Sequence, residues 1–141
     1  MGGSSPVTQI RVRIVTGSDN GAGTDAHVYL GIGGREFYID SNADDFENSA
    51  DQLFKLGEDT NVKNPSFNDP RTPQMSTFDP TLFPVYLRME PDCNNAAWQI
   101  DTITVTVKAG ATTALTYSSP LLAGAKKLWL GQNYGKICYL S

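Results

Sequence analysis

Histidine occurs once in this 141-residue chain, at His27, and cysteine twice, at Cys93 and Cys138. A single histidine excludes His-rich zinc sites and a two-histidine proton relay. The two cysteines have no metal-type spacing. They read as two buried thiols; the alternative is a disulfide tying the Asp92 turn to the last strand in an oxidising compartment. No serine or cysteine sits in a nucleophile elbow, and the Gly31-x-Gly33-Gly34 stretch lacks the helix that a phosphate cradle needs. The adjacent acids Asp44 and Asp45 give no hydrolase geometry. No enzyme is supported. Long apolar runs are missing as well: none approaches the ~20 residues that span a bilayer. No basic stripe accompanies the aromatic residues, which disfavours nucleic acid as a partner. The N-terminus shows no basic segment followed by an apolar one, so a soluble chain without a signal peptide is expected. The only Asn-x-Ser/Thr triplet is Asn64-Pro65-Ser66, where proline blocks glycosylation.

A sustained 3.6-residue period is also missing, so helix should be nearly absent. The period that is present is two. Ile10, Val12 and Ile14 alternate with Arg11 and Arg13, and Ala26, Val28, Leu30 and Ile32 alternate with His27 and Tyr29. Gly33-Gly34 turns the chain into Arg35 to Ile39 as a hairpin. Gln52 to Leu56 is a short strand, and Phe83, Val85, Leu87 and Met89 share one face of another. Trp98 to Val107 alternates with a slip near Asp101-Thr102, which predicts a β-bulge. Leu115 to Ser118, Leu128 to Leu130 and Lys136 to Leu140 complete the series. Short strands with turn signals between them make an all-β antiparallel sandwich or barrel. Residues 1–7 are expected to be a flexible lead-in and residues 8–141 one domain. Gly57 to Leu82 holds Pro65, Pro70, Pro73 and Pro80 and is expected to be a long loop, because proline cannot feed a central ladder.

The formal charge is -4, but ten acids lie between Asp19 and Asp59 against Arg35 and Lys55, so that stretch carries 2 - 10 = -8 and the remainder +4. Within it, Gly21-Ala22-Gly23-Thr24-Asp25 and Asp44-Asp45-Phe46-Glu47 crowd oxygen ligands into two turns. Glycines let such a turn aim carbonyls inward, and calcium takes six to eight oxygens at about 2.3–2.6 Å. Asp40 to Glu47 is not an EF-hand, lacking the sixth-position glycine and the distant glutamate. A third polar turn, Glu90 to Asn95, precedes Trp98. From the residues alone, three plain polar turns are the favoured reading.

The order of the parts resembles a PLAT domain, the module named for polycystin, lipoxygenase and α-toxin. The residues that carry the resemblance are the Ile10–Thr16 strand, Gly21-Ala22-Gly23-Thr24-Asp25-Ala26, Val28-Tyr29-Leu30-Gly31, Asn42 to Glu47, a strand ending near Asp92, and Trp98-Gln99-Ile100-Asp101-Thr102-Ile103, with Leu128-Trp129-Leu130 behind them. The resemblance covers roughly residues 8–131. It implies a sandwich of two four-stranded sheets that binds membranes or proteins, in several members through calcium held between loops at one end. Its candidate ligands here are Gly21, Gly23, Thr24, Asp25, Asp44, Asp45 and Glu47. Members often carry an acid just before the strand tryptophan; Ala96-Ala97 stands there, so Asp92 or Asn95 would substitute. The 17–24 loop carries no tip aromatic, which disfavours membrane insertion. A calcium-responsive binding module is therefore expected. The alternatives are a calcium-independent protein-interaction module using loop 57–82, or an accessory domain of a lipid-modifying enzyme. Trp98 and Trp129 are expected to pack in the core or on a sheet.

Overall fold

Alternation drives the first strand. In β1 (Gln9–Thr16), Ile10, Val12 and Ile14 are buried while Arg13 faces water. A computed structural model describes residues 4–93, 96–119, 122 and 127–141. In it the chain continues through β2 (His27–Ile32), β3 (Arg35–Tyr38), β4 (Asp51–Gly57), β5 (Val85–Glu90), β6 (Ala97–Ala109), β7 (Thr112–Ser118), β8 (Leu128–Gly131) and β9 (Ile137–Leu140). A 3-10 turn lies at Asp79–Thr81.

The strands form two antiparallel sheets packed as a sandwich. One has the order β4-β1-β6-β7, with β8 also on β6, and the other the order β3-β2-β5-β9. The expected pair of four-stranded sheets is thus five plus four. The thirteen residues of β6 explain the difference: their length lets β7 pair with Thr104 to Ala109 and β8 with Ala97 to Ile100 along the same edge. The expected bulge is present. Val15 pairs with Thr102 and Thr16 with Ile100, leaving Asp101 as the extra residue.

The core lies between the layers. Val12, Phe54, Ile103 and Val105 from one sheet meet Val28, Leu30, Phe37, Leu87 and Met89 from the other. Each such side chain contributes roughly 1.5–3 kcal/mol on leaving water. Trp98 is fully buried and its Nε1 donates to Thr16 Oγ1 at 3.1 Å, which satisfies the one polar atom it carries inward. Trp129 is half-buried and stacks on Tyr134. His27 is exposed on the outer face, its Nδ1 2.7 Å from Tyr38 Oη.

Two expectations need correction. Phe83 does not join the inner face of β5: Pro84 precedes the ladder, and the Phe83 ring instead lies exposed over Gly34. The cysteines are not two buried thiols; Cys138 is buried and Cys93 exposed, and both are free.

The segment between β4 and β5 has no strand, yet it is built into the fold. Val62, Asn68, Pro70, Met75 and Pro80 are buried. The Arg35 guanidinium donates to the carbonyls of Asp69, Thr72 and Pro73, and Tyr38 N donates to Asn68 Oδ1 at 2.7 Å. At its far side Val7 N donates to Met75 O and Thr77 N to Ser5 O, so residues of the lead-in segment pair with this loop.

Candidate functional site

Two loops meet at the end of the sandwich where β1 stops and β2 starts. Thr16 leads into the first loop, residues 17–26. Gly17 has its amide on the Gln99 carbonyl, and Ala22 O accepts from Gln99 N at 2.9 Å. Buried Gln99 also donates from Nε2 to Asp19 Oδ2 at 2.6 Å and accepts from Asp19 N. Gly17 is small of necessity, because a Cβ there would overlap the Gln99 side chain. Gly21, at φ +78, takes the left-handed turn.

The second loop, residues 39–50, joins β3 to β4. Phe46 is its pivot. At φ +59 it adopts a backbone that aromatic residues rarely hold. Its ring is buried 5.0 Å from Trp98 and 5.5 Å from Phe54. Its carbonyl accepts Thr24 N at 2.9 Å and its amide donates to Gln52 Oε1, so one residue ties the acidic loop to the core and to the first loop. Gly23 lies against this junction: a Cβ would meet Asn48 N at 2.9 Å and Phe46 O at 3.0 Å.

That junction sorts the acids into two jobs. Asp45 turns inward, accepting from Ser41 N, Ser41 Oγ and Gln52 Nε2. It braces the loop with those oxygens. Asp44 and Glu47, on either side of the Asp45-Phe46 pair, turn outward. Their carboxylate oxygens and one from Asp25 all lie within 4.8 Å of one another, and all three residues are exposed.

Electrostatics register the crowding. The Glu47 carboxyl is held above its usual range by its hydrogen-bonded neighbour Asp44, with Asp25 adding to the repulsion. Asp40 is raised by burial first and by Asp45 second. Asp19, by contrast, is lowered by its hydrogen bond from Gln99 and by Lys127, whose Nζ lies 3.4 Å away. Three carboxylates with no cation between them offer calcium three to six oxygens, and the remaining positions fall to water or carbonyls. The donor set is all oxygen, as a hard cation requires.

The expected ligands thus divide. Asp25, Asp44 and Glu47 converge. Thr24 Oγ1 accepts from Ala26 N at 3.1 Å and shapes the turn. Gly21 and Gly23 line a shallow hollow with Asp25 and Glu47, and a second with Asp25, Asp92 and Cys93. Asp92 therefore stands on the far side of Asp25 and outside the triad. Asn95 lies outside the described residues. Asp40, read in the sequence as the start of the Asp40 to Glu47 turn but not among the candidate ligands, lines a depression of about 140 Å³ with Asp44, Asp45 and Tyr38.

The chain is a two-layer antiparallel sandwich with a carboxylate triad between its end loops. No family model matches the chain, and no curated protein matches it. Solved structures do. The α-toxin of Clostridium absonum superimposes with a TM-score of 0.62 at 19% identity, over 97% of this chain and 32% of that one. The α-toxin of Clostridium perfringens from an avian strain gives 0.60 at 17%, over 96% and 32%. A lipoxygenase gives 0.52 at 15%, over 94% of this chain and 16% of that enzyme. The fold is that of a PLAT-like domain. The chain spans about a third of the toxins' length. Among the described residues, no helix is long and apolar enough to cross a membrane.

Proposed function

We propose that this domain is a non-catalytic binding module whose acidic end takes calcium and then engages a protein or membrane surface. The observation that supports it is the convergence of Asp25, Asp44 and Glu47 from two loops, with Glu47 raised by its neighbours. Folding forces like charges together here, and a cation relieves that cost. The bound ion cancels the negative charge at this end and orders the loops, so that an anionic headgroup or partner can approach. The test is thermal melting and isothermal titration after chelation. Calcium at about 100 times Kd should add about 2.7 kcal/mol, or about 8 °C in Tm for a domain of this size. No heat and no shift up to millimolar calcium would refute the calcium reading.

A second reading rests on loop 57–82, whose Phe67 ring is 84% exposed, with Phe78 and Leu82 also presented to solvent. Exposed aromatics are common anchors of protein interfaces. In this reading the loop captures a protein partner without calcium. Deleting the loop would strip Val62, Pro70 and Met75 from the fold, so the proper variant is Phe67→Ser with Phe78→Ser. Partner capture in chelator should fall at least about tenfold; equal capture by the variant and the parent chain would reject it. Fusion to a lipid-modifying enzyme is compatible with either reading.

A further inference from the structure

The outer face of the five-stranded sheet carries charge of the opposite sign. Arg11 in β1 stands directly across from Lys55 in β4 on one side and Thr106 in β6 on the other, and Thr106 pairs in turn with Thr116. Lys108 lies one row further along, opposite Gln9. Like charges directly opposed across a sheet cost stability. Yet Arg11, Lys55 and Lys108 have no ion pair among the described residues, where Arg13, the fourth cation on this face, is held by Asp51 at 2.7 Å. Arg11 Nε is buried and has no hydrogen-bond partner. It is a charge-bearing donor turned away from solvent with nothing to receive its proton.

The acidic end does not neutralise this face. Five residues separate Arg11 from Thr16, about 17 Å of strand, or roughly two Debye lengths at physiological salt. The nearer acids, Glu58 and Asp59, line one hollow with Gln9, Arg11 and Lys108 but form no ion pair with Arg11, Lys55 or Lys108, and the Glu58 charge also acts on Arg71. Beside Lys55 the half-exposed Leu53 shares the face, next to Arg13. Threonine hydroxyls at positions 104, 106 and 116 stand among the cations.

From these observations we infer that the outer face of the β4-β1-β6-β7 sheet docks flat on an anionic membrane, with the Arg11–Lys55 pair clasping a phosphate monoester of a lipid headgroup. A face that sets the apolar Leu53 among its cations complements a charged lipid surface. A phosphate placed over the pair would cancel the Arg11–Lys55 repulsion and accept from the Lys55 ammonium, the terminal nitrogens of Arg11 and the threonine hydroxyls. The contact goes beyond the calcium reading and needs no calcium.

The test uses the 1–141 chain in chelator with vesicles of phosphatidylcholine, with and without phosphatidylinositol bisphosphate. Sedimentation with the phosphorylated vesicles alone is expected, with displacement by soluble inositol trisphosphate. At about fivefold per basic residue near the surface, Lys55→Gln should weaken binding about fivefold and Arg11→Gln with Lys55→Gln about 25-fold. Lys136→Gln, on the β8–β9 connection, should change nothing. The double variant should melt no lower than the parent chain, since it removes a repelling pair, and Lys55→Gln tests the inference even if it does not. Three outcomes would overturn the inference: no sedimentation, inositol trisphosphate binding without vesicle binding, or equal loss in Lys136→Gln. The calcium-dependent rise in Tm is measured separately, so failure of one proposal leaves the other standing.

Discussion

Replacing Phe46 by alanine is expected to remove both stability and any calcium response. The ring fills the space between Trp98 and Phe54 at 3% exposure. Truncating a buried phenylalanine costs about 3–5 kcal/mol, so Tm should fall by about 10–15 °C. The functional loss has a separate origin. Phe46 fastens the second acidic loop to the first through Thr24 N on its carbonyl and to β4 through Gln52 on its amide, beside the Asn48–Asp19 and Ser49–Gly17 hydrogen bonds between the loops. Without the ring in the core, nothing holds φ +59 at this position, and Asp44 and Glu47 lose their fixed distance from Asp25. A control separates the two effects: Phe54→Ala opens a comparable cavity and leaves Phe46 in the chain. It should lower Tm by a similar amount while keeping a calcium-dependent rise. Titration calorimetry below both melting points measures the difference. A normal calcium response in Phe46→Ala would show that the loops hold their geometry without this anchor.

How far the sequence foretells this arrangement depends on the kind of pattern involved. Strands with one buried face announce themselves, because alternation in Ile10 to Ile14 or Val28 to Ile32 has a single physical explanation. Even the bulge at Asp101 is legible, as a break in phase. Turns carry no such period. Asp44 and Asp45 are chemically identical neighbours, and only the distant partners Ser41 and Gln52 decide that Asp45 braces the loop while Asp44 faces out. Loop 57–82 reads as an excursion because prolines exclude a ladder; its buried Val62, Pro70 and Met75 are scattered singly and leave no periodic signal. Arg11 was legible as a polar-face residue of β1. Its opposition to Lys55 depends on the pairing register of a strand forty residues away, which no local pattern encodes.

Neutralising part of the triad should move stability the other way. In chelator, Asp44→Asn with Glu47→Gln is expected to melt above the parent chain near neutral pH, because it removes the repulsion that raises the Glu47 carboxyl. The sign follows from linkage. A carboxyl raised above its unfolded value binds its proton more tightly in the folded state, so its stabilising contribution is present at low pH. That contribution is lost as pH rises from the ordinary value of 4.5 through the raised one. The advantage of the double variant should therefore be largest above that window and shrink below it, where the parent's Glu47 is protonated as well. Asp19, Glu36, Asp51 and Asp69 are lowered by their partners and act oppositely, losing their contribution as pH falls. They are common to both chains and cancel in the difference. Saturating calcium should reverse the order, lifting the parent by about 8 °C and the variant hardly at all. A sequence that keeps a destabilising cluster on its surface, against the easy gain from two neutral substitutions, is the pattern expected where function is held at a cost in stability. Melting curves across pH, with and without calcium, measure both halves. If the double variant melts no higher in chelator, the three acids do not oppose one another strongly enough to need an ion.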